Sequence, residues 1–325
     1  MAAPLPDDEY PVKLTAPDLS AYKQGNTGVD YVSTFDSGRP GPHVMVNAIT
    51  HGNEVCGAIA LDLLLREAVR PTRGRLTLGF LNVAAYQRFD PAKPSASRFV
   101  EEDINRVWSE LILDGTRDSV ELRRARQYRR IIDGIDYLLD IHSMQHRTPP
   151  LMLAGPLAKG RAFAQAVGYP ATVVCDEGHA AGKRLRDYAF FGREADPRNA
   201  LLVECGQHWE PESAAVAIET TLRFLKHLDV VPAAFLAKHL KPGAPARQRV
   251  IEVTQAVTVT TDAFRFATAF HGMEVIAKAG TEIARDDDRP VLSPYDNCVL
   301  IMPSRRLHRG QTAVRLGRYV AGDFG

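Results

Sequence analysis

Residues 43–70, HVMVNAITHGNEVCGAIALDLLLREAVR, decide how the chain is read. HVMVNAIT (43–50) is a continuous apolar run of strand length, the pattern of a strand covered on both faces. From Glu54 to Arg70 the apolar residues Val55, Ile59, Leu63 and Leu64 recur at helical spacing, so a helix follows after a turn at Gly52. The alternation continues outward. RLTLGFLNV (75–83), YLLDIH (137–142), PLMLAG (150–155), ATVVC (171–175) and ALLVECG (200–206) predict further strands. Segments at 116–133, 157–167, 184–192 and 211–228 predict helices between or after them. This order implies an α/β fold, with a mixed, largely parallel sheet and helices on both faces. In such sheets ligands gather just beyond the carboxyl ends of the strands.

The pattern changes near residue 230. VVPAAFLAKHLKPGAPARQ is rich in Pro and Ala and reads as a connector. Residues 248–325 carry β-branched alternation (VIEVTQAVTVTT) and short apolar runs punctuated by Gly and Pro. They predict a small C-terminal all-β domain. The expected division is 1–230, carrying the site, and 231–325, a connector plus the β domain.

Composition excludes several classes. The 325 residues are 45% hydrophobic and 24% charged, as in an ordinary globular protein. Forty basic residues against 39 acidic ones leave a net charge of +1, so no global field draws the chain to nucleic acid or to an anionic membrane. The start, MAAPLPDDEYPVKL, has no apolar core and is acidic early, which argues against a secretory signal and for a cytoplasmic protein. No run approaches the ~18 apolar residues of a membrane span. Cys56, Cys175, Cys205 and Cys298 form no CxxC pair and read as reduced thiols. Two arginine-rich segments remain: Arg117, Arg123, Arg124, Arg126, Arg129 and Arg130 on one helix, and SRRLHRG (304–310). Asp118, Glu121 and Asp133 dilute the first, which reads as a solvated helix face and not as a nucleic-acid site.

His51 and Glu54 form a His-x-x-Glu pair, a spacing that ten histidines and 39 acids should produce about once by chance. The chain has a second one, His271 and Glu274. Context separates them. His51 directly follows a buried strand and precedes a long helix, where α/β proteins build sites. His271 lies in a short segment of the expected β domain and reads as a surface histidine. His142 also ends an apolar strand. Two imidazoles and one carboxylate, with a fourth position left to water, suit a catalytic zinc ion, one per chain. Asp140, two residues before His142, points to the same side of its strand and can accept from an imidazole N–H. Glu204 ends the run ALLVE, where a buried carboxylate is costly without a partner but useful as a general base. Arg98, Asn105 and Arg106 in SRFVEEDINRVW suit recognition of a carboxylate, and Arg98 also suits stabilisation of an oxyanion.

HGNE, DINR, DIHS and the glutamate of VEC, in that order, resemble the succinylglutamate desuccinylase/aspartoacylase family of zinc carboxypeptidase-like enzymes. The resemblance covers about residues 40–230, and the β tail is similar to the family's second domain. It implies zinc on His51, Glu54 and His142, and Glu204 as the base that activates water. It implies that Asn105 and Arg106 hold a substrate carboxylate, with Arg98 near the scissile carbonyl. The chain departs from the aspartoacylase pattern in two places. DIHSMQH stands where that pattern has DLHNTT, and CGQHW follows the base glutamate where it has VGPQ. The acyl group and amino acid of those enzymes therefore do not carry over. Arg193 and Arg198 are the candidates for a second substrate-clamping arginine, and Tyr295 is a candidate from the β domain.

The expected activity is removal of an acyl group from a small, anionic N-acyl amino acid by metal-activated water. A metallocarboxypeptidase acting on peptides is the nearest alternative, and a catalytically inactive metal-binding or regulatory protein a more distant one. A homo-oligomer is left open by the sequence.

Overall fold

The computed structural model describes residues 10–179, 181–243 and 246–320. Residues 1–9, on which part of the leader reading falls, lie outside the described residues. The strands are β1 (Val32–Asp36), β2 (His43–Ala48), β3 (Arg75–Phe80), β4 (Tyr137–Met144), β5 (Leu151–Leu153), β6 (Thr172–Cys175) and β7 (Asn199–Gln207). They continue with β8 (Arg249–Thr258), β9 (Phe264–Phe266), β10 (Val275–Ile276), β11 (Glu282–Asp286), β12 (Arg289–Leu292), β13 (Cys298–Ile301) and β14 (Thr312–Tyr319). The helices are α1 (Val55–Arg66), α2 (Val83–Tyr86), α3 (Glu110–Leu113), α4 (Val120–Ile132), α5 (Ala158–Val167), α6 (Pro211–His227) and α7 (Ala233–His239).

Eleven strands form one mixed sheet in the order β1-β3-β2-β4-β7-β5-β6-β8-β14-β13-β10. Its centre, β3-β2-β4-β7, is parallel, and every residue of β2 and of β7 is buried. One core, under α1, α5 and α6, includes Val44, Val46, Leu61, Ile141, Val203 and Phe224. The opposite core, under α4, includes Met45, Trp108, Leu122, Tyr128, Ile132 and Leu138. Residues 44 and 46 therefore face one core and residue 45 the other, as a strand covered on both sides requires.

Arg124 and Arg126 of α4 are used within the protein. Arg124 donates to the carbonyls of Asp30, Phe80 and Leu81, and Arg126 to those of Leu113, Gly115 and Arg117. Ser119 caps the helix by accepting from Leu122 N–H at 3.0 Å. Burial of Leu122 and Ile132, worth roughly 1.5–3 kcal/mol each, fixes its inner face.

Two expectations change. Residues 184–192 form two short 3-10 turns, Leu185–Asp187 and Ala189–Gly192, in place of one helix. Leu185, Tyr188, Phe190 and Phe191 are all buried there, while Arg184 and Arg186 bond inward, which leaves no polar stripe for a helix. The connector also contains α7.

The C-terminal strands form a small all-β region. β8, β14, β13 and β10 extend the main sheet antiparallel to one another, and β12-β11-β9 make a separate three-stranded sheet. The region is joined to the rest by parallel pairing of β6 with β8. Its residues 302–308 turn back toward the main α/β layer, where Arg305 N–H donates to Gln145 Oε1 at 2.9 Å. Among the described residues no helix is long and apolar enough to cross a membrane.

Candidate active site

The carboxyl ends of β2, β4 and β7 open on a cavity of about 420 Å³. β2 leads into His51 and Glu54, β4 carries His142, and β7 carries Glu204 directly opposite His142 in register. Just beyond that pair one residue of β4 faces two of β7, a bulge with Gly206 at φ 104°. Bulges of this kind recur beside active sites, where they re-aim the strand. Gly52 is required for a different reason. A Cβ there would run into the backbone of Ala85, Tyr86 and Ser97, so only glycine lets the loop after His51 pass this closely.

His51, Glu54 and His142 are buried and offer ligand atoms within 4.8 Å of one another, a group that could hold a metal ion. Both imidazoles turn Nδ1 to the same carboxylate. His51 Nδ1 lies 2.7 Å from Glu54 Oε1, and His142 Nδ1 lies 2.9 Å from Glu54 Oε2. Each Nε2 is held from behind. His142 Nε2 is 2.9 Å from Asp140 Oδ2, and His51 Nε2 is 2.9 Å from Asp103 Oδ1. Carboxylate–imidazole pairs of this kind fix ring orientation in metal sites. Asp140 is fully buried, and its other oxygen accepts from Asn47 Nδ2 at 2.7 Å and Thr50 Oγ1 at 2.8 Å. Burial alone would raise the Glu54 carboxyl, but the two imidazoles hold it well below the usual carboxylate range. Burial would lower His142, but Asp140 and Glu54 hold it well above the usual histidine range.

Glu204 is buried, its Oε2 has no hydrogen-bond partner among the described residues, and desolvation pushes its carboxyl well above the usual range. Arg98 lies 3.3 Å from Glu54 Oε1, 2.9 Å from His51 Nε2 and 3.2 Å from Asp103 Oδ2. Asn105 Oδ1 accepts from Leu185 N–H at 2.9 Å, and its amide nitrogen remains to donate to a ligand. Arg106 donates to the Asn105 carbonyl at 2.7 Å and lies 3.7 Å from Asp103 Oδ2. Burial draws its guanidinium down to about 10, opposed by Asp103 and reinforced by Arg98, Arg315 and Arg184.

All seven residues singled out in the sequence line this one cavity. The three further candidates do not. Arg193 pairs with Glu110 at 3.2 Å, Arg198 with Asp196 at 2.7 Å, and Tyr295 Oη bonds Thr254 Oγ1 at 2.6 Å. His271 is exposed at the cavity mouth, and the Glu274 carboxylate is spent on the backbone N–H groups of His271 and Gly272. Sequence reasoning missed Ser143, His179, Arg184, His208 and Arg315, which also line the cavity. Arg184 clasps Asp176 at 2.8 and 3.0 Å, and Arg315, brought in by β14, lies 3.1 Å from Asp176 and 2.8 Å from His179. Burial would raise Asp176, but Arg184 and Arg315 hold it at about 2. No local signal marks His179, Arg184 or Arg315, which tertiary structure assembles; Ser143 and His208 lie in the two segments that depart from the aspartoacylase pattern.

An open α/β sheet with a buried His–Glu–His donor set and a glutamate opposite, at the strand ends, defines a hydrolase fold with a potential metal centre. Residues 40–228 match the catalytic-domain model of succinylglutamate desuccinylase/aspartoacylase, and the chain belongs to that family. Solved structures with a similar fold include the succinylglutamate desuccinylase of Vibrio cholerae, at 16% identity and TM-score 0.67, over 89% of this chain and 85% of that one. A succinylglutamate desuccinylase/aspartoacylase from Rhodobacter sphaeroides is 19% identical with TM-score 0.63, over 89% and 88% of the two chains. The product-bound ectoine utilization protein EutE (DoeB) of Ruegeria pomeroyi is 18% identical with TM-score 0.60, over 88% of each chain. At these identities the likeness is one of fold. No curated protein matches the chain.

Proposed function

We propose that the chain is a zinc-dependent amidohydrolase that removes the acyl group from a small N-acyl amino acid or a related carboxylate-bearing amide. The observation that carries this reading is the buried, unpartnered Glu204 Oε2 facing a cavity that also holds the His51–Glu54–His142 donor set. Two nitrogens and one carboxylate, with both second ring nitrogens backed by aspartates, fit zinc with one position free. A zinc ion held there supplies Lewis acidity, polarising a carbonyl and acidifying water.

The protein's own groups do the rest. Glu204 takes a proton from the attacking water, whose oxygen bonds to the acyl carbon. Arg98 donates to the oxygen that gains charge. Glu204 then hands the proton to the nitrogen as the C–N bond breaks, releasing a carboxylic acid and an amine. Arg106 is a guanidinium buried beside Arg98, Arg184 and Arg315, with Asp103 as its near acid, so a carboxylate bound at Arg106 and Asn105 relieves an excess of positive charge. That anchoring positions the amide over Glu204. The β region from residue 231 onward contributes Arg306 and Arg315 to the walls, which suits a small substrate.

The test is amine release by the zinc-loaded protein on a panel of N-acyl amino acids, with peptides of matched length beside them. Turnover of the acyl amino acids is expected. Turnover confined to peptides makes the protein a carboxypeptidase, and inactivity on both series refutes the proposal.

A further inference from the structure

One buried pair lines the cavity without any part in the chemistry above. Ser143 Oγ and His208 Nδ1 are 2.8 Å apart, with the residues only 4% and 3% exposed. Ser143 directly follows His142, and its backbone N–H donates to Glu54 Oε2 at 3.3 Å. His208 comes four residues after Glu204, just past the end of β7, and its N–H donates to the Met144 carbonyl at 2.9 Å. The two side chains thus tie together the ends of the strands that carry His142 and Glu204. They also occupy the two segments in which the chain departs from the aspartoacylase pattern. Ser143 stands at the asparagine of DLHNTT and His208 at the glutamine of VGPQ.

The position of His208 assigns it a side of the cavity. Arg106 belongs to the segment whose Ile104 and Val107 join the core under α4. His208 leads instead into Trp209, whose Nε1–H donates to the Asn53 carbonyl at the start of α1, on the opposite face of the sheet. Arg98 neighbours Arg106 on one side and the His208 ring on the other, and Glu54 also acts on that ring. An amide whose carboxylate rests on Arg106 therefore directs its acyl chain toward His208. With Nδ1 taken by Ser143, the ring has one nitrogen left, Nε2, and it has no protein partner among the described residues. Burial, with Arg98, His51 and Arg306 nearby, brings the imidazole down to about 3, so it is neutral at physiological pH.

We propose that His208, oriented by Ser143, is the acyl-recognition residue, selecting acyl chains that carry a hydrogen-bonding oxygen over plain alkanoyl chains. This rests on the amidohydrolase reading. A polar nitrogen that a ligand covers without bonding it is costly, so the wall penalises an acyl chain that cannot satisfy it. The hydrogen bond is uncharged and fixed in direction, which makes it a discriminator and not a bulk attractor.

The test compares N-glycolyl and N-propionyl derivatives of one amino acid, which differ by a hydroxyl in place of a methyl. Wild-type kcat/KM is expected to favour glycolyl about tenfold or more. His208→Leu is expected to lower glycolyl turnover about 10- to 100-fold while propionyl stays within about threefold. Ser143→Ala, which frees the ring to turn, is expected to lose part of the preference. His208→Gln, which keeps a hydrogen-bonding group if leucine does not fold, is expected to retain part of it. Zinc content should not change. An equal fall for both substrates, or no fall for either, overturns the proposal. If the wild type hydrolyses neither, the amidohydrolase reading fails separately. Calorimetric binding of glycolate and propionate then decides the wall: a glycolate preference lost in His208→Leu supports it, and equal binding overturns it.

Discussion

Asp140 and His142, two residues apart on β4, are joined Oδ2 to Nε2 at 2.9 Å inside the protein. Asp140 also takes the Asn47 amide and the Thr50 hydroxyl, and Asn47 Oδ1 in turn accepts from Tyr128 Oη at 2.5 Å. The orientation of His142 is thereby set by a buried network reaching back to α4. Asp140→Ala would leave the Asn47 amide, the Thr50 hydroxyl and the His142 ring nitrogen without their shared acceptor. It is expected to weaken zinc binding about 10- to 100-fold and to lower unfolding stability by about 1–3 kcal/mol. Zinc competition with a chromophoric chelator and urea unfolding check the two effects.

Gly52→Ala brings a methyl group into the backbone of Ala85, Tyr86 and Ser97. The loop must shift, so a loss of about 1–3 kcal/mol is expected, with a fall in zinc affinity because His51 moves with it. Gly134→Ala is the control, since the nearest atom to its added carbon would be 3.6 Å away. It should melt close to the wild type.

Arg106→Ala is expected to raise KM for N-acyl amino acids about 10- to 100-fold through loss of charge-assisted hydrogen bonds. The corresponding amino-acid amides, which lack the carboxylate, should be turned over much as before. A comparable loss on both series would remove Arg106 from carboxylate anchoring.

His43 sits at the far end of β2 from the cavity, and burial, with Arg75 nearby, brings its imidazole down to about 4. A depressed histidine contributes stability that is fully present above its unfolded pKa of about 6.5 and is lost as pH falls toward the folded value. The wild type should therefore lose stability relative to His43→Gln by roughly 1.4 kcal/mol per pH unit below about pH 6. Paired urea unfolding curves at pH 7, 6 and 5 measure that difference, which isolates His43 from the other titrating groups.

Much of this architecture was legible because interior parallel strands must be apolar on both faces. β2, β3, β4 and β7 announce themselves as unbroken runs, and the polar residues that end them, His51, His142 and Glu204, stand out against that background. Asp140 was legible from the two-residue period of a strand. Residues 184–192 misled because their buried aromatics and inward arginines mimic helical spacing without forming a helix. Arg315 could not be found at all: it reaches the cavity only because β14 pairs with β8 and β8 with β6. His208 was visible as an unusual residue after the base glutamate, but its bond to Ser143 depends on how β4 and β7 part at the Gly206 bulge.

The central claim is that Glu204 activates water beside a metal held by His51, Glu54 and His142. The most direct measurement is amine release from N-acyl amino acids by zinc-loaded wild type and Glu204→Gln, with zinc content determined on the same samples. Both proteins should carry one zinc per chain, and the variant should be slower by at least about 10²-fold, the scale of a lost general base. A Glu204→Gln protein that keeps its zinc and most of its activity would contradict the account.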